Sequence, residues 1–129
     1  MKNNQAHHTT PKRTVLIVED DAFQAFVIEK MLISINYAIA GTAASGEDAI
    51  QLARHSEPDI IIMDIMLSGN LNGIETASII LEKYLVSIIY VTGNADKYYL
   101  NKAKQTGYSA YLLKPVTMYT LKNALSSAE

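Results

Sequence analysis

The sequence predicts an α/β domain, a doubly wound (βα)5 fold with five parallel strands in the order 2-1-3-4-5. Two observations predict this class. Short apolar runs rich in β-branched residues recur along the chain, and stretches with apolar residues at helical spacing separate them. Continuous apolar runs are typical of strands whose two faces are both covered by helices, as in a parallel sheet.

Four of the five predicted strands are clear from their composition. They are residues 15–18, 60–63, 88–91 and 110–113, which read VLIV, IIIM, IIYV and AYLL. The remaining segment, 37–43, alternates less regularly and contains Gly41. Because it lies between two helical stretches, we interpret it as the second strand of an alternating fold.

Five helical stretches follow the strands, and polar residues support the starts of three of them. The predicted helices span residues 22–34, 47–55, 74–84, 94–106 and 117–127. Capping-box pairs begin the first three helices: Asp21 with Gln24, Ser45 with Asp48, and Asn72 with Glu75. Gly107 follows the fourth helix, at the position where glycine commonly ends a helix.

Length and composition bound the domain organisation and exclude several classes of function. The 129 residues suffice for one domain, which we place at 14–128 after a polar N-terminal tail at 1–13. A net charge of −2 gives no broad electrostatic reason to bind nucleic acid directly, and the absence of cysteine excludes disulfides and thiolate metal sites. The chain has no apolar run of the ~18 residues that a membrane span needs and no signal-peptide core. We therefore expect no membrane insertion and a cytoplasmic location.

Polar residues follow four of the predicted strands, at the point where each strand ends. Glu19 and Asp20 follow the first strand, Asp64 the third, Thr92 the fourth and Lys114 the fifth. In a doubly wound sheet these carboxyl ends meet at one edge, where such folds place their active crevice. Clustered carboxylates repel one another unless a cation joins them, and oxygen ligands favour Mg²⁺.

This set of residues suits phosphoryl transfer to a carboxylate. A carboxylate that attacks phosphorus forms an acyl phosphate, while the metal ion and Lys114 neutralise the phosphoryl oxygens. Thr92 is then placed to donate a hydrogen bond to the attached group. Each residue taken alone also has a purely structural interpretation, and for the adjacent Asp21 we favour a helix N-cap. The coincidence at four strand ends favours the functional interpretation of the set.

Four segments carry a resemblance to a known family: VLIVEDD at 15–21, IIIMDIML at 60–67, IIYVTGNA at 88–95 and SAYLLKP at 109–115. Across residues 13–128 the chain resembles a response-regulator receiver domain, a flavodoxin-like fold of two-component systems and phosphorelays. The resemblance implies that Asp64 is the phosphoacceptor and that the cofactor is Mg²⁺. It also implies a cis peptide bond between Lys114 and Pro115.

The remaining site roles also come from the resemblance. Asp20 is then a direct metal ligand, Glu19 a ligand through water, and the backbone carbonyl of Met66 a further ligand. Lys114 binds the phosphoryl group, and Thr92 and Tyr111 form the switch. The chain departs from the family at Ser68, where many members have proline, and its loop from Asp64 to Gly73 is one residue longer than the commonest form.

The expected partners are a sensor histidine kinase or a histidine phosphotransfer protein upstream, and a protein partner downstream. Phe23 and Val27 of the first helix are candidates for the upstream contact, beside Asp64. The downstream contact is expected through the fourth helix, fifth strand and fifth helix, where Tyr98 and Tyr99 are candidate anchors. A phosphorylation-dependent homodimer is an alternative on this surface.

The lifetime of an aspartyl phosphate depends on the side chains beside the path of the attacking water. The fold places Met66 and Asn94 there. Met66 cannot orient water and Asn94 cannot accept its proton, so we expect an intermediate to long lifetime.

Several alternatives stay open from the sequence. No output domain is predicted after Leu125, so the chain is either a stand-alone receiver or a fragment of a longer response regulator or hybrid histidine kinase. A phosphorylation-independent binding module is less favoured, because the residues for phosphorylation are all present. A cofactor binder is disfavoured by the acidic EDDAF segment at 19–23, where a phosphate loop is neutral or basic. A phosphatase is disfavoured by Met66, which replaces its general acid, so we expect no turnover of external substrates.

Overall fold

Five strands alternate with five helices along the part of the chain that the computed structural model describes, residues 12–128. The strands are β1 (Thr14–Val18), β2 (Ala38–Ala43), β3 (Ile60–Asp64), β4 (Ser87–Thr92) and β5 (Ala110–Leu113). The helices are α1 (Ala22–Ser34), α2 (Gly46–Ser56), α3 (Gly73–Leu81), α4 (Lys97–Lys104) and α5 (Met118–Ser127).

The strands form one parallel sheet in the order β2-β1-β3-β4-β5, which confirms the predicted fold class. One irregularity lies between β1 and β2, where Val15 pairs with Ile39 but Leu16 pairs with Gly41. The extra residue in β2 shifts the alternation of its side chains. This shift accounts for the weak period of residues 37–43 in the sequence.

Alternate residues of the central strands face two separate cores. Leu16 and Met63 point to a core that α2, α3 and α4 cover. Ile17 and Ile62 point to a second core that α1 and α5 cover. Because both faces of the sheet are buried, the strand sequences are apolar throughout instead of alternating with polar residues.

The predicted boundaries of two helices are wrong. α3 ends at Leu81, before the predicted end at 84, and α4 spans Lys97–Lys104 instead of 94–106. Asp96 caps α4, because its side chain accepts a hydrogen bond from the Tyr98 N–H at 2.9 Å. The Asn94 side chain accepts from the Asp96 N–H at 2.7 Å, so residues 94–96 form a turn and not helix.

The helix starts use the predicted cap residues, with one complete capping box among the three expected. Asn72 and Glu75 exchange both hydrogen bonds at the start of α3. Asp21 caps α1, but its own N–H donates to Glu19 Oε2 at 3.1 Å and not to a residue of the helix. Ser45 likewise caps α2 through its side chain.

The predicted tail at 1–13 lies outside the described residues except for its last two. Arg13 Nη2 donates to the carbonyl of Ala128 at 3.2 Å, and the Arg13 carbonyl accepts from the Ala38 N–H at 3.0 Å. These bonds join Arg13 to the edge of the domain. Among residues 12–128, no helix has both the length and the apolar character needed to cross a membrane.

Tyr90 on β4 is fully buried, and its hydroxyl forms a hydrogen bond with Thr106 Oγ1 at 2.8 Å. Burial raises the pKa of Tyr90 from 10.0 to about 12. The unfolded chain therefore releases this proton at lower pH than the folded protein does. Consequently Tyr90 makes the free energy of unfolding fall as pH rises from about 10 to about 12.

We predict that Tyr90→Phe removes this fall in the free energy of unfolding at alkaline pH, which amounts to at most ~1.4 kcal/mol per pH unit. Urea unfolding of both proteins at neutral pH and near pH ~11 measures it. The exposed Tyr119→Phe variant is the matched control and should lose stability with pH as the wild type does. The same pH slope in Tyr90→Phe and the wild type would contradict the prediction.

Candidate functional site

The polar residues predicted at the strand ends meet at the carboxyl edge of the sheet. Glu19 and Asp64 are adjacent to each other there because β1 pairs directly with β3. The backbone also joins the ends of β4 and β5, since the Lys114 N–H donates to the Thr92 carbonyl at 2.8 Å. The strand order thus brings together residues that lie far apart in the chain.

Lys114 forms ion pairs with two buried carboxylates. Its Nζ lies 3.0 Å from Glu19 Oε1 and 3.4 Å from Asp64 Oδ2. Glu19 is 4% exposed and Asp64 is 3% exposed. Carboxylates with so little contact with water need a neighbouring positive charge, and Lys114 supplies it.

The clustered charges shift the ionisation of both partners. Burial raises the pKa of Glu19 to about 7, and the nearby Asp64 adds to the shift, against the lowering effects of the Asp21 N–H and Lys114. Burial acts to lower the pKa of Lys114, but the hydrogen bond to Glu19 and the charges of Glu19 and Asp64 raise it above its usual value. Lys114 is therefore a firmly charged ammonium group.

Asp20 is exposed at the rim of the site, and Ser68 donates two hydrogen bonds to it. The Ser68 N–H and Oγ lie 3.2 Å and 3.1 Å from Asp20 Oδ2. Burial acts to raise the pKa of Asp20, but these two donors, together with contacts to the Glu19 side chain and the Asp20 backbone, lower the pKa below its usual value. Sequence reasoning identified Ser68 as a departure from the family and did not foresee this contact.

The carboxylates are arranged as an oxygen site for a hard cation. Glu19, Asp20 and Asp64 each offer one oxygen, and these three atoms lie within 4.8 Å of one another. Carboxylate oxygens at such spacing fit Mg²⁺, which takes one or two carboxylates and keeps several waters. The predicted ligand set is thus brought together, while the role of the Met66 carbonyl stays a prediction.

The backbone around Asp64 fixes the orientation of its side chain. The Met66 N–H donates to Asp64 Oδ1 at 3.1 Å. The Gly73 N–H donates to the Ile65 carbonyl at 2.8 Å, which brings the start of α3 against the end of β3. A Cβ atom on Gly73 would lie 2.0 Å from the carbonyl oxygen of Asp64. Only glycine permits this close approach, which the sequence analysis did not detect.

Thr92 is fully buried at the end of β4, and its Oγ1 accepts a hydrogen bond from the Asn94 N–H at 3.1 Å. The Asn94 side-chain oxygen accepts a hydrogen bond from the Asp96 N–H at 2.7 Å. Met66 is 46% exposed, at the mouth of the site. The roles of Met66 and Asn94 beside the path of the attacking water stay predictions.

Tyr111 lies on β5, where it pairs with Tyr90 of β4, and it is partly buried against the core. Its ring packs edge-on against Tyr90, with centroids 6.4 Å apart, and lies 5.7 Å from the ring of Tyr108. On α4, Tyr98 is 58% exposed and Tyr99 is half-buried, with the two rings 5.2 Å apart. Of these two candidate anchors, Tyr98 is therefore the more exposed to solvent.

Phe23 projects from the start of α1 and is 73% exposed. Phe23 and half-buried Val27 line a cavity of about 230 Å³ together with Lys114, Pro115 and neighbouring residues. The Lys114–Pro115 bond is cis, as the resemblance implied. The cavity extends from Lys114 of the candidate site to Phe23 on the exposed face of α1.

Comparison with known families decides the identity of this fold and site. The family model described as "Response regulator receiver domain" matches residues 15–126. The chain belongs to the response regulator receiver domain family. As a receiver domain of two-component signalling, it belongs to a group that interacts with histidine kinases or phosphotransfer proteins and generally binds Mg²⁺ at an acidic pocket. Receiver domains are generally not enzymes.

The curated relatives of this receiver domain are longer proteins. It is 34% identical to transcriptional regulatory protein PdtaR of Mycobacterium tuberculosis over 116 residues, which is 90% of this chain and 56% of that protein. It is 33% identical to the probable C4-dicarboxylate response regulator DctR of Halalkalibacterium halodurans over 121 residues, 92% of this chain and 52% of that protein. The receiver domain thus spans about half the length of the curated relatives that it matches.

A solved structure supports the same conclusion. The signal receiver domain of a modulated diguanylate cyclase from Desulfovibrio desulfuricans G20 has a TM-score of 0.85 and 36% sequence identity. The match covers 91% of this chain and 93% of that one. The receiver fold therefore extends over essentially all of the described residues.

We predict that Gly73→Ala costs about 1–3 kcal/mol of stability, because its Cβ atom would displace α3 from the backbone of Asp64. Gly93→Ala is the matched control, since a Cβ atom there meets its nearest neighbour, Lys114 Cδ, at 4.0 Å. That variant should stay within ~0.5 kcal/mol of the wild type. Urea unfolding measures both, and equal stability of the two variants would contradict the predicted close contact.

Proposed function

We propose that this receiver domain accepts a phosphoryl group on Asp64 and thereby switches a surface that binds a protein partner. The observation that carries the proposal is the ion-paired cluster at the carboxyl edge. Asp64 is 3% exposed and lies 3.4 Å from Lys114 Nζ, beside Glu19 and Asp20. The family of the chain supports the same function.

The chemistry requires an Asp64 oxygen to form a bond to phosphorus while the bond from phosphorus to the donor breaks. The donor atom leaves with its electron pair, and the product is an acyl phosphate. Lys114 neutralises charge on the phosphoryl oxygens, as its position beside Asp64 Oδ2 allows. Mg²⁺, when bound at Glu19, Asp20 and Asp64, supplies further neutralisation of the same oxygens.

We predict that acetyl phosphate with Mg²⁺ adds the mass of one phosphoryl group to the wild type and none to Asp64→Asn. Intact-mass spectrometry measures the product. Asp48→Asn, an exposed carboxylate on α2, is the matched control and should be labelled as the wild type is. Omission of Mg²⁺ should strongly reduce labelling. Labelling of Asp64→Asn at the wild-type level would contradict the proposed phosphoacceptor.

The phosphorylated state is proposed to have an intermediate to long lifetime. Met66 offers an attacking water no polar partner, and Asn94 has its side-chain oxygen occupied by the Asp96 N–H. Neither group accepts a proton from water, as a general base would. The lifetime follows from the same mass measurement, repeated at intervals after removal of acetyl phosphate.

The upstream partner is proposed to be a sensor histidine kinase or a histidine phosphotransfer protein that contacts α1 beside the site. Exposed Phe23 and the cavity that it shares with Val27, Pro115 and Val116 support this surface. Exposed aromatic residues beside a cavity are effective anchors for a partner. Lys114 also lines this cavity, so the proposed docking surface adjoins the lysine that would bind the phosphoryl group.

We predict that Phe23→Ala slows phosphoryl transfer from a histidine phosphotransfer protein about tenfold or more, because it removes an aromatic anchor. Labelling by acetyl phosphate should change little, since that small donor needs no docking surface. Ile33→Ala, which removes an exposed apolar residue at the far end of α1, is the matched control. Equal slowing with both donors would indicate altered chemistry at Asp64 and would count against the docking role.

The downstream surface is proposed to comprise α4, β5 and α5. Its residues from 93 to 128 include five lysines and one acidic residue, whereas residues 14–92 include eleven acidic and three basic residues. On α4, Lys102 Nζ lies 5.7 Å from the ring centre of exposed Tyr98. This combination of basic and aromatic groups favours an acidic protein partner. A phosphorylation-dependent homodimer is the alternative.

The switch is proposed to run from Thr92 to Tyr111. We predict that beryllofluoride, a phosphoryl mimic, shifts the NMR signals of wild-type residues 97–113. In Thr92→Ala the signals near Asp64 should still shift, but those of α4 and β5 should shift much less, because the hydroxyl that contacts the mimic is missing. Thr92→Ser keeps the hydroxyl and should restore the response. Wild-type shifts on α4 in Thr92→Ala would contradict the switch.

The larger context of the chain is also a proposal. We propose a receiver domain at 14–128 after a tail at 1–13, in the cytoplasm, acting through protein contacts and not through turnover of external substrates. Because the curated relatives are about twice as long, a fragment of a longer response regulator or hybrid histidine kinase stays an alternative. A phosphorylation-independent module is disfavoured by the complete ion-paired cluster.

A further inference from the structure

Ser68, in the loop between β3 and α3, contacts Asp20 of the candidate metal site. Both its N–H and its hydroxyl donate to the same oxygen, Asp20 Oδ2, at 3.2 Å and 3.1 Å. The two residues are 48 positions apart in the sequence, so this contact joins the end of β1 to the loop after β3. Both residues are exposed, and the contact lies at the rim of the site.

The two donors restrict the Asp20 carboxylate. With Oδ2 accepting both hydrogen bonds, the rotation of the group about its last bond is restricted, and the loop uses only one of the two carboxylate oxygens. The neighbouring carboxylates are oriented differently, because Glu19 and Asp64 are paired with Lys114 at 3.0 Å and 3.4 Å. Asp20 is thus oriented by the neutral donors of the loop in addition to its contact with the Glu19 side chain.

We propose that Ser68 is a positioning residue for the metal site, which orients Asp20 so that its other carboxylate oxygen faces Mg²⁺. This inference rests on the proposed function, because it assigns Asp20 as a metal ligand. Hydrogen bonds to metal-binding carboxylates fix their orientation, and loss of such a partner typically weakens metal affinity 10–100-fold. The loop after β3 is therefore coupled to metal binding at the end of β1.

The two hydrogen bonds can be removed one at a time. Ser68→Ala removes the hydroxyl and keeps the N–H, whereas Ser68→Pro removes both donors. Ser68→Thr keeps both. Wild type and Ser68→Thr should therefore bind Mg²⁺ alike, Ser68→Ala should bind about tenfold more weakly, and Ser68→Pro should bind still more weakly.

Each purified variant is titrated with Mg²⁺ alone. The titration is monitored through the NMR signals of the backbone amides of Glu19, Asp20 and residue 68, except that Ser68→Pro has no amide proton at position 68. Urea unfolding of the same samples shows whether each variant is folded. Asn70→Ala, an exposed residue of the same loop, is the matched control and should keep the wild-type affinity. If Ser68→Pro does not fold, the comparison of alanine with threonine carries the test.

Equal Mg²⁺ affinity of the wild type and Ser68→Ala would overturn the positioning role. So would failure of Ser68→Thr to restore affinity, or an equal loss of affinity in Asn70→Ala. Labelling of the wild type by acetyl phosphate at saturating Mg²⁺ separates this inference from the proposed function. Absence of labelling would contradict the function, whereas normal labelling with no effect of Ser68→Ala would overturn only the role of Ser68.

Discussion

The site depends on the ion pairs between one ammonium group and two carboxylates that have almost no contact with water. Glu19 and Asp64 are 4% and 3% exposed, and Lys114 lies 3.0 Å and 3.4 Å from them. The two carboxylates have oxygens within 4.8 Å of each other, and like charges so close repel strongly where the surroundings are poorly polarisable. Lys114 offsets that repulsion, but burial, with a smaller contribution from Asp64, still raises the pKa of Glu19 to about 7. An incoming cation would lower the remaining cost.

The order of the strands in the sheet brings Glu19, Asp64 and Lys114 together. β1 and β3 pair directly and β5 lies at the far edge beyond β4, so a long lysine side chain must extend across the end of β4 to reach Asp64. Thr92 occupies that intervening strand end, with its carbonyl bonded to the Lys114 N–H. Any movement of Thr92 toward Asp64 therefore affects the strand that carries Tyr111. The backbone link between β4 and β5 gives the proposed switch its mechanical basis.

The loops around the site serve separate parts of it. The start of α3 fixes the backbone of Asp64 through Gly73, and Ser68 fixes the side chain of Asp20. The start of α1 presents Phe23 outward, beside the cavity that reaches Lys114. The proposed docking surface, the proposed metal ligands and the proposed phosphoacceptor thus lie on neighbouring but different segments. This separation allows one of them to be altered by substitution while the others keep their geometry.

The sequence alone determined the fold class, the strand order and the predicted cluster, because continuous apolar strands and strand-end carboxylates depend on local composition. The sequence predicted the ends of the helices less well than the fold class. Asp96 is one of several polar residues near the start of α4, so the sequence does not single it out as the N-cap. At the start of α5, the capping box of Thr117 and Thr120 lacks the usual Glu or Gln. Only the tertiary structure decided that Ser68 contacts Asp20 and that Gly73 abuts Asp64. Such contacts depend on how segments that are distant in the sequence pack against each other, and a local sequence pattern does not encode that packing.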